Sequence, residues 1–222
     1  MHPLLDGKCL IAFDLDGTLI DSVPDLTVAV ARALVDQGLS MPTTDDVRDW
    51  VGNGAAVLVE RALTWAQGAP PEAMLFDRAY AAFLHHYAAA PNQLTSLYPG
   101  VRAALSGLRD AGFTLMLITN KPERFITPIL DHFDLRGCFK LCLGGDSLAE
   151  KKPSPLPLLH AAQVGGVAPG VCVMVGDSRH DIAAGKAAGF VTLALPYGYN
   201  HGEPIGDSEP DAVIASLAEL MA

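Results

Sequence analysis

The chain is poor in cysteine and in positive charge, and no apolar run in it approaches the length of a membrane span. Its four cysteines, Cys9, Cys138, Cys142 and Cys172, include no Cys-x-x-Cys pair, which argues against structural zinc and a dithiol redox motif. Cys9 and Cys172 fall in expected buried strands, where reduced thiols serve as small apolar fillers. Lysine and arginine total 15 against 25 aspartates and glutamates, a net charge of −10. That balance disfavours nucleic acid and anionic membrane as partners. A small anionic substrate fits only where a metal or a lysine makes the site locally positive. The opening Met1-His2-Pro3-Leu4-Leu5-Asp6 lacks a charged-then-apolar leader pattern. There is no internal repeat and no low-complexity segment. The expectation is a cytoplasmic protein without disulfides, a monomer or a homodimer.

What the chain does have is length and apolar content. With 222 residues and 50% hydrophobic side chains, it can form one large domain or a core with an insertion. Short, continuous apolar runs at Cys9–Phe13, Thr114–Thr119 and Val171–Val175 read as buried strands, and Leu141–Leu143 and Val191–Leu195 as two further strands. Ala212–Ile214 reads as a last edge strand. Helical patterns separate them at Val101–Ala111, Pro122–Phe133, Leu156–Val164 and Ser178–Ala188, and a further helix is expected from Leu217. Strands alternating with helices imply an α/β fold with a doubly wound, Rossmann-like parallel sheet. Between Asp21 and Leu94 the pattern is different. Helices are expected from Asp21 to about Gln37, from Pro42 to Trp50, over Ala55–Ala66 and from Pro70 to Ala89, with no strand. Residues 21–94 therefore read as an all-helical cap inserted into a core of residues 1–20 and 95–222.

The strand ends hold the chemistry. The first runs into Asp14-Leu15-Asp16-Gly17-Thr18, the second into Thr119-Asn120-Lys121, and the fourth into Gly176-Asp177-Ser178-Arg179-His180-Asp181. Glu150-Lys151-Lys152-Pro153 follows the third. In a doubly wound sheet these carboxyl ends share one edge, where ligands bind. A carboxylate at Asp14 can attack phosphorus and form an aspartyl-phosphate. An ordinary aspartate titrates at about 3.9, so Asp14 is expected to be ionised at neutral pH. Asp14 and Asp177 are hard oxygen ligands suited to Mg²⁺. Lys152 adds positive charge, and Thr119 with nearby backbone N–H groups can bind phosphoryl oxygens. Asp16 is placed as general acid and base. Taken singly, Thr119 reads as a cap, Lys152 as a solvated surface charge, and Asp181 as a first-turn acid serving the helix dipole. Their joint occurrence at successive strand ends is what favours a site. Two arrangements use a phosphorylated aspartate with Mg²⁺, threonine and lysine: a phosphatase, and a receiver-like signalling module. The latter places its aspartate on a later strand.

In this order, Asp14-Leu15-Asp16-Gly17-Thr18, Thr119, Lys152-Pro153 and Gly176-Asp177-x-x-x-Asp181 resemble the four motifs of the haloacid dehalogenase superfamily. The resemblance implies Asp14 as nucleophile and metal ligand, and Asp16 as acid/base that also offers Mg²⁺ its backbone carbonyl. It implies Thr119 and Lys152 as phosphoryl ligands, Asp177 as a direct metal ligand, and Asp181 as one acting through water. Lys151 is the neighbour of the matching lysine. Asp16 favours phosphate esters over halides, and Gly176 before Asp177 favours hydrolysis over transfer. Within the phosphatases the chain is similar to the bacterial phosphoglycolate phosphatase branch. The stretches involved are Asp21–Leu26, Trp50–Gly54, Gly144–Asp146, Lys151–Pro153 and Tyr197–Asn200. A small phosphorylated metabolite, 2-phosphoglycolate, is the expected substrate, with a sugar phosphate or amino-sugar 6-phosphate as the competing reading. Candidate substrate contacts are Gly17, Thr119, Asn120 and, from the Gly52-Asn53-Gly54 loop, Asn53 and Gly54. That loop also reads as a plain helix-to-helix turn. Arg61 reads either as a ligand for a substrate carboxylate or, as expected of a helix residue, as a solvated charge. His85 with His86, adjacent on a helix, are expected to form no metal site.

Overall fold

In the computed structural model, which describes residues 1–222, the apolar runs assemble into a six-stranded parallel sheet. Its strands are β1 (Leu10–Phe13), β4 (Thr114–Ile118), β5 (Leu141–Leu143), β6 (Cys172–Gly176), β7 (Val191–Ala194) and β8 (Ala212–Val213). The spatial order is β5-β4-β1-β6-β7-β8. β1 is thus central, with Ala12 opposite Met116 on one side and Met174 on the other. Alternate side chains face opposite layers, because the side-chain period of a strand is two. Ile11, Phe13, Leu115, Leu117, Val173 and Val175 join one apolar cluster, packed under α5 (Val101–Asp110) and α6 (Ile126–His132). Leu10, Ala12, Met116, Ile118, Cys172 and Met174 join the other, under α7 (Leu156–Gly165) and α8 (Arg179–Ala188). A sheet covered on both faces needs continuous apolar strands, and this one has them.

Four helices lie between β1 and β4 in the chain: α1 (Val23–Val35), α2 (Thr44–Trp50), α3 (Ala55–Gln67) and α4 (Ala73–Ala89). Each has a local reason to start or stop. Thr43 and Asp46 form a reciprocal capping box at the start of α2, with Thr43 N–H donating to Asp46 at 2.8 Å. Gly68 closes α3 in the left-handed conformation that glycine adopts without penalty. Their apolar faces (Leu26, Val30, Leu58, Val59, Leu63, Phe83) merge with the cluster under α5 and α6.

The structure corrects several expectations. Asp21 does not open a helix. Ile20–Asp21 form β2, paired antiparallel with Ser96–Leu97 as β3, and α1 starts two residues later. Both crossings between the sheet and the helical unit therefore run through one small ribbon. Asp25, in the first turn of α1, is buried and accepts from Leu94 N–H, Thr95 N–H at 2.7 Å and Thr95 Oγ1–H at 2.6 Å. It fastens the returning chain to α1. The segment 122–133 divides into a 3₁₀ turn (Glu123–Phe125) and the short α6, and Leu217–Met221 is 3₁₀ as well. Cys9 lies just outside β1 and is half-buried. No helix is long and apolar enough to cross a membrane.

Candidate active site

The site forms where β1, β4 and β6 end side by side. Asp14 directly follows β1, and its N–H continues the ladder to Val175 O at 3.0 Å. Thr119 follows β4, and Asp177 follows β6. One carboxylate oxygen from each of Asp14, Asp177 and Asp181 can be chosen so that the three lie within 4.8 Å of one another, and all three residues are buried. Lys152 is buried to 1% exposure among them, its Nζ 2.9 Å from Asp14 Oδ1 and 2.5 Å from Asp181 Oδ1. Lys152 is thus not the solvated surface charge that it resembles when taken singly. Two facing carboxylates keep the ammonium inside, because an unpaired buried lysine would shed its charge.

The other oxygens of the cluster are held from several sides. Asp177 accepts from Thr18 Oγ1–H and from Tyr199 N–H, each at 2.6 Å. Gly17, at φ +86°, and Gly198 press against this carboxylate so closely that a Cβ on either would collide with it. Asp181 closes a capping box on α8, accepting from Ser178 N–H at 3.0 Å and Ser178 Oγ–H at 2.8 Å. Its two oxygens are thus committed to Lys152 and Ser178.

Charge explains the rest. Burial, augmented by repulsion from Asp181, pushes the Asp14 carboxyl up to about 7 despite the pull of Lys152. Burial and the same neighbours raise Asp177 well above the carboxylate range. The ordinary aspartate value therefore does not carry over to Asp14, whose ionised form has to be favoured by added positive charge. Burial works against the charge of Lys152, and Asp14 with Asp181 outweigh it, so its pKa is raised. Three buried carboxylates facing one ammonium leave uncompensated negative charge. A hard, oxygen-seeking divalent cation fits that donor set.

A cavity of about 470 Å³, including its mouth, opens between the sheet edge and the helical unit. Asp14, Asp16, Thr119, Gly54 and Lys121 are among the residues lining it, and Asn120 contributes beside them. The predicted residues are held in different ways. The Asp16 carboxylate stands apart from the acidic trio, accepting from Ser22 Oγ–H at 2.5 Å and Lys121 Nζ–H at 3.0 Å. The Asn120 side chain donates to Gly52 O at 3.2 Å and Lys152 O at 3.0 Å, bracing the loop against the lysine segment. Asn53 does not line the cavity; its carbonyl accepts from Lys151 Nζ at 2.8 Å. Arg61 is half-buried rather than solvated, donating to Trp50 O at 2.8 Å and sitting 3.2 Å from His201 Nδ1. His85 and His86 join no acidic cluster; His86 pairs with Asp36 at 2.7 Å. Sequence reasoning assigned nothing to Thr18, Lys121, Tyr87 or Tyr199. Lys121 offered a signal, a basic residue two beyond a strand end; Tyr87, one aromatic among many apolar residues on a helix, offered none.

Comparison with known proteins agrees with this geometry. A family model of haloacid dehalogenase-like hydrolases matches residues 10–189. The chain is 49% identical over 213 residues to a phosphoglycolate phosphatase of Pseudomonas putida, covering 96% of this chain and 78% of that one. To a phosphoglycolate phosphatase of Aliivibrio fischeri it is 46% identical over 215 residues, covering 96% and 95%. The crystal structure of a predicted phosphoglycolate phosphatase from Haemophilus somnus superposes with a TM-score of 0.93 at 37% identity, covering 97% of both chains. With a buried aspartate trio and lysine at the carboxyl edge of a parallel sheet, and a family match over most of its length, this chain belongs to the haloacid dehalogenase-like hydrolases.

Proposed function

We propose that the protein is a Mg²⁺-dependent phosphatase that hydrolyses 2-phosphoglycolate to glycolate and inorganic phosphate. The observation that supports this most is the Asp14 carboxylate, which lines the cavity, lies 2.9 Å from Lys152 and is clustered with Asp177 and Asp181. The relatives named as phosphoglycolate phosphatases support the choice of ester. Asp14, Asp177, the backbone of Asp16 and, through water, Asp181 would hold Mg²⁺, which supplies positive charge against the phosphoryl oxygens and keeps Asp14 ionised.

In this reading the Asp14 carboxylate attacks phosphorus as the ester P–O bond breaks. The departing glycolate oxygen takes a proton from the Asp16 carboxyl. A water molecule then attacks the aspartyl-phosphate, gives its proton back to Asp16, and releases phosphate and the free Asp14 carboxylate. Lys152 and Thr119 hold the phosphoryl oxygens, and Lys152 restrains Asp14 meanwhile. The helical unit, residues 21–94, acts as a cap that excludes water from the cavity.

Asp14→Asn is expected to lower turnover more than about 100-fold, a barrier rise of at least about 3 kcal/mol. The assay is phosphate release from 2-phosphoglycolate with Mg²⁺, run beside glucose 6-phosphate and glucosamine 6-phosphate. Retained turnover in Asp14→Asn sinks the nucleophile; a higher kcat/KM for either sugar ester sinks the substrate. One phosphate per chain without further release would favour a signalling module.

A further inference from the structure

The mechanism leaves two buried groups of the cavity wall without a task. Lys121 is 5% exposed, its Nζ 3.0 and 3.2 Å from the two Asp16 oxygens and 4.7 Å above the Tyr87 ring. Tyr87 is 1% exposed, and its hydroxyl has no hydrogen-bond partner. Its ring cannot drift, stacked on Phe83 at 5.8 Å and met edge-on by Phe125 at 4.9 Å. Around this pair the wall is apolar: Leu26, Val51, Leu58, Phe83 and Phe125.

Polar groups this deeply buried normally have partners. An ammonium has three N–H donors, and a phenol has one O–H to give. Asp16 satisfies only one side of Lys121. The cavity therefore presents an ammonium and an idle hydroxyl donor in otherwise apolar surroundings, next to the carboxyl group placed to protonate the leaving oxygen. We propose that Lys121 and Tyr87 are the specificity-determining residues that bind a carboxylate on the leaving group.

This rests on the phosphatase reading of the same site. Because Lys121 also touches Asp16, the carboxylate it binds and the ester oxygen that Asp16 protonates must be joined by a short chain. The substrate class is thus a phosphate ester of a small hydroxy acid. A sugar would bring several hydroxyls to a wall whose only free polar groups beside Lys121 and Tyr87 include one acceptor, Asn120 Oδ1, at a cost for each hydroxyl buried unpaired.

The test pairs substrates with variants. Phosphate release with Mg²⁺ is measured for 2-phosphoglycolate and for its neutral amide, 2-phosphoglycolamide, on the wild type, Lys121→Gln, Lys121→Arg and Tyr87→Phe. Wild type is expected to prefer the acid. Lys121→Gln should lower kcat/KM about 100-fold more for the acid than for the amide, since a site built around a charge rejects what fails to match it. Lys121→Arg should recover part of that loss. Tyr87→Phe, which keeps the packed ring, should raise KM for the acid about tenfold, as for loss of one hydrogen bond to a charged group. Equal losses on acid and amide in Lys121→Gln overturn the inference, because Lys121 would then act only through Asp16. A wild type that hydrolyses the amide as well as the acid also overturns it, and leaves the phosphatase reading standing. A wild type that releases phosphate from neither, nor from the sugar phosphates, overturns both.

Discussion

At the scale of single residues, Asp177 shows how the site depends on what is left out. Gly17 and Gly198 lie against its carboxyl group, and neither leaves room for a Cβ. Gly198→Ala would push Asp177 away from Asp14, with no change in charge. Affinity for Mg²⁺ is expected to fall about 10- to 100-fold, as when a ligand's support is disturbed. A Mg²⁺ titration of activity checks this, and a wild-type midpoint would show that Asp177 has another way to sit. The carboxylates themselves were legible in the sequence, because two acids at the end of an apolar strand have few structural reasons to be there. The state of Asp14 was not legible. Its shift comes from burial and from Asp181, which is distant in the chain, and local sequence cannot report a neighbour's field. Lys152 was misleading alone for the same reason: a lysine is normally exposed, and only its two partners explain why this one is not.

Elements were legible where one periodicity persists over many residues. The five buried strands and the helices between them follow from apolar runs punctuated by glycine and proline. The β2–β3 ribbon was invisible because each strand is two residues long and its partner lies on the far side of the helical unit. The same holds for Asp25 in the first turn of α1, whose partners lie at the far end of the helical unit. Its carboxylate collects two backbone N–H groups and a hydroxyl from Leu94 and Thr95. Asp25→Ala would leave those donors buried without an acceptor. A loss of about 1–3 kcal/mol is expected, the cost of unmaking such a bond inside a protein. Urea unfolding at neutral pH measures it, and an unchanged midpoint would mean that water replaces the carboxylate.

For the whole molecule, the acidic cluster links stability to pH. Asp14 titrates at about 7 in the folded chain, above its ordinary 3.8, and Asp177 moves in the same direction. Between the unfolded and folded values, the folded chain holds more protons than the unfolded one. The contribution of Asp14 to stability is therefore full at low pH and is lost as pH rises from about 4 through about 7, and Asp177 acts in the same sense. A divalent cation reverses this, because it binds the ionised carboxylates of the folded state and adds stability by mass action. The rise in Tm on adding Mg²⁺ in place of chelator is expected to be larger at about pH 8 than at about pH 5. Thermal melts at the two pH values check this; an equal or opposite rise would mean that the trio does not hold the ion.

The β2–β3 ribbon has a mechanical consequence. Ile20 is in register with Leu97 and Asp21 with Ser96, and Tyr98 N–H bonds to Leu19 O just beyond. Two strands laddered together bend more easily out of their common plane than they shear along it. The helical unit is thus tethered by a two-ply band rather than by two independent threads. If the helical unit acts as the proposed cap, this band is the hinge about which it would turn to open the cavity.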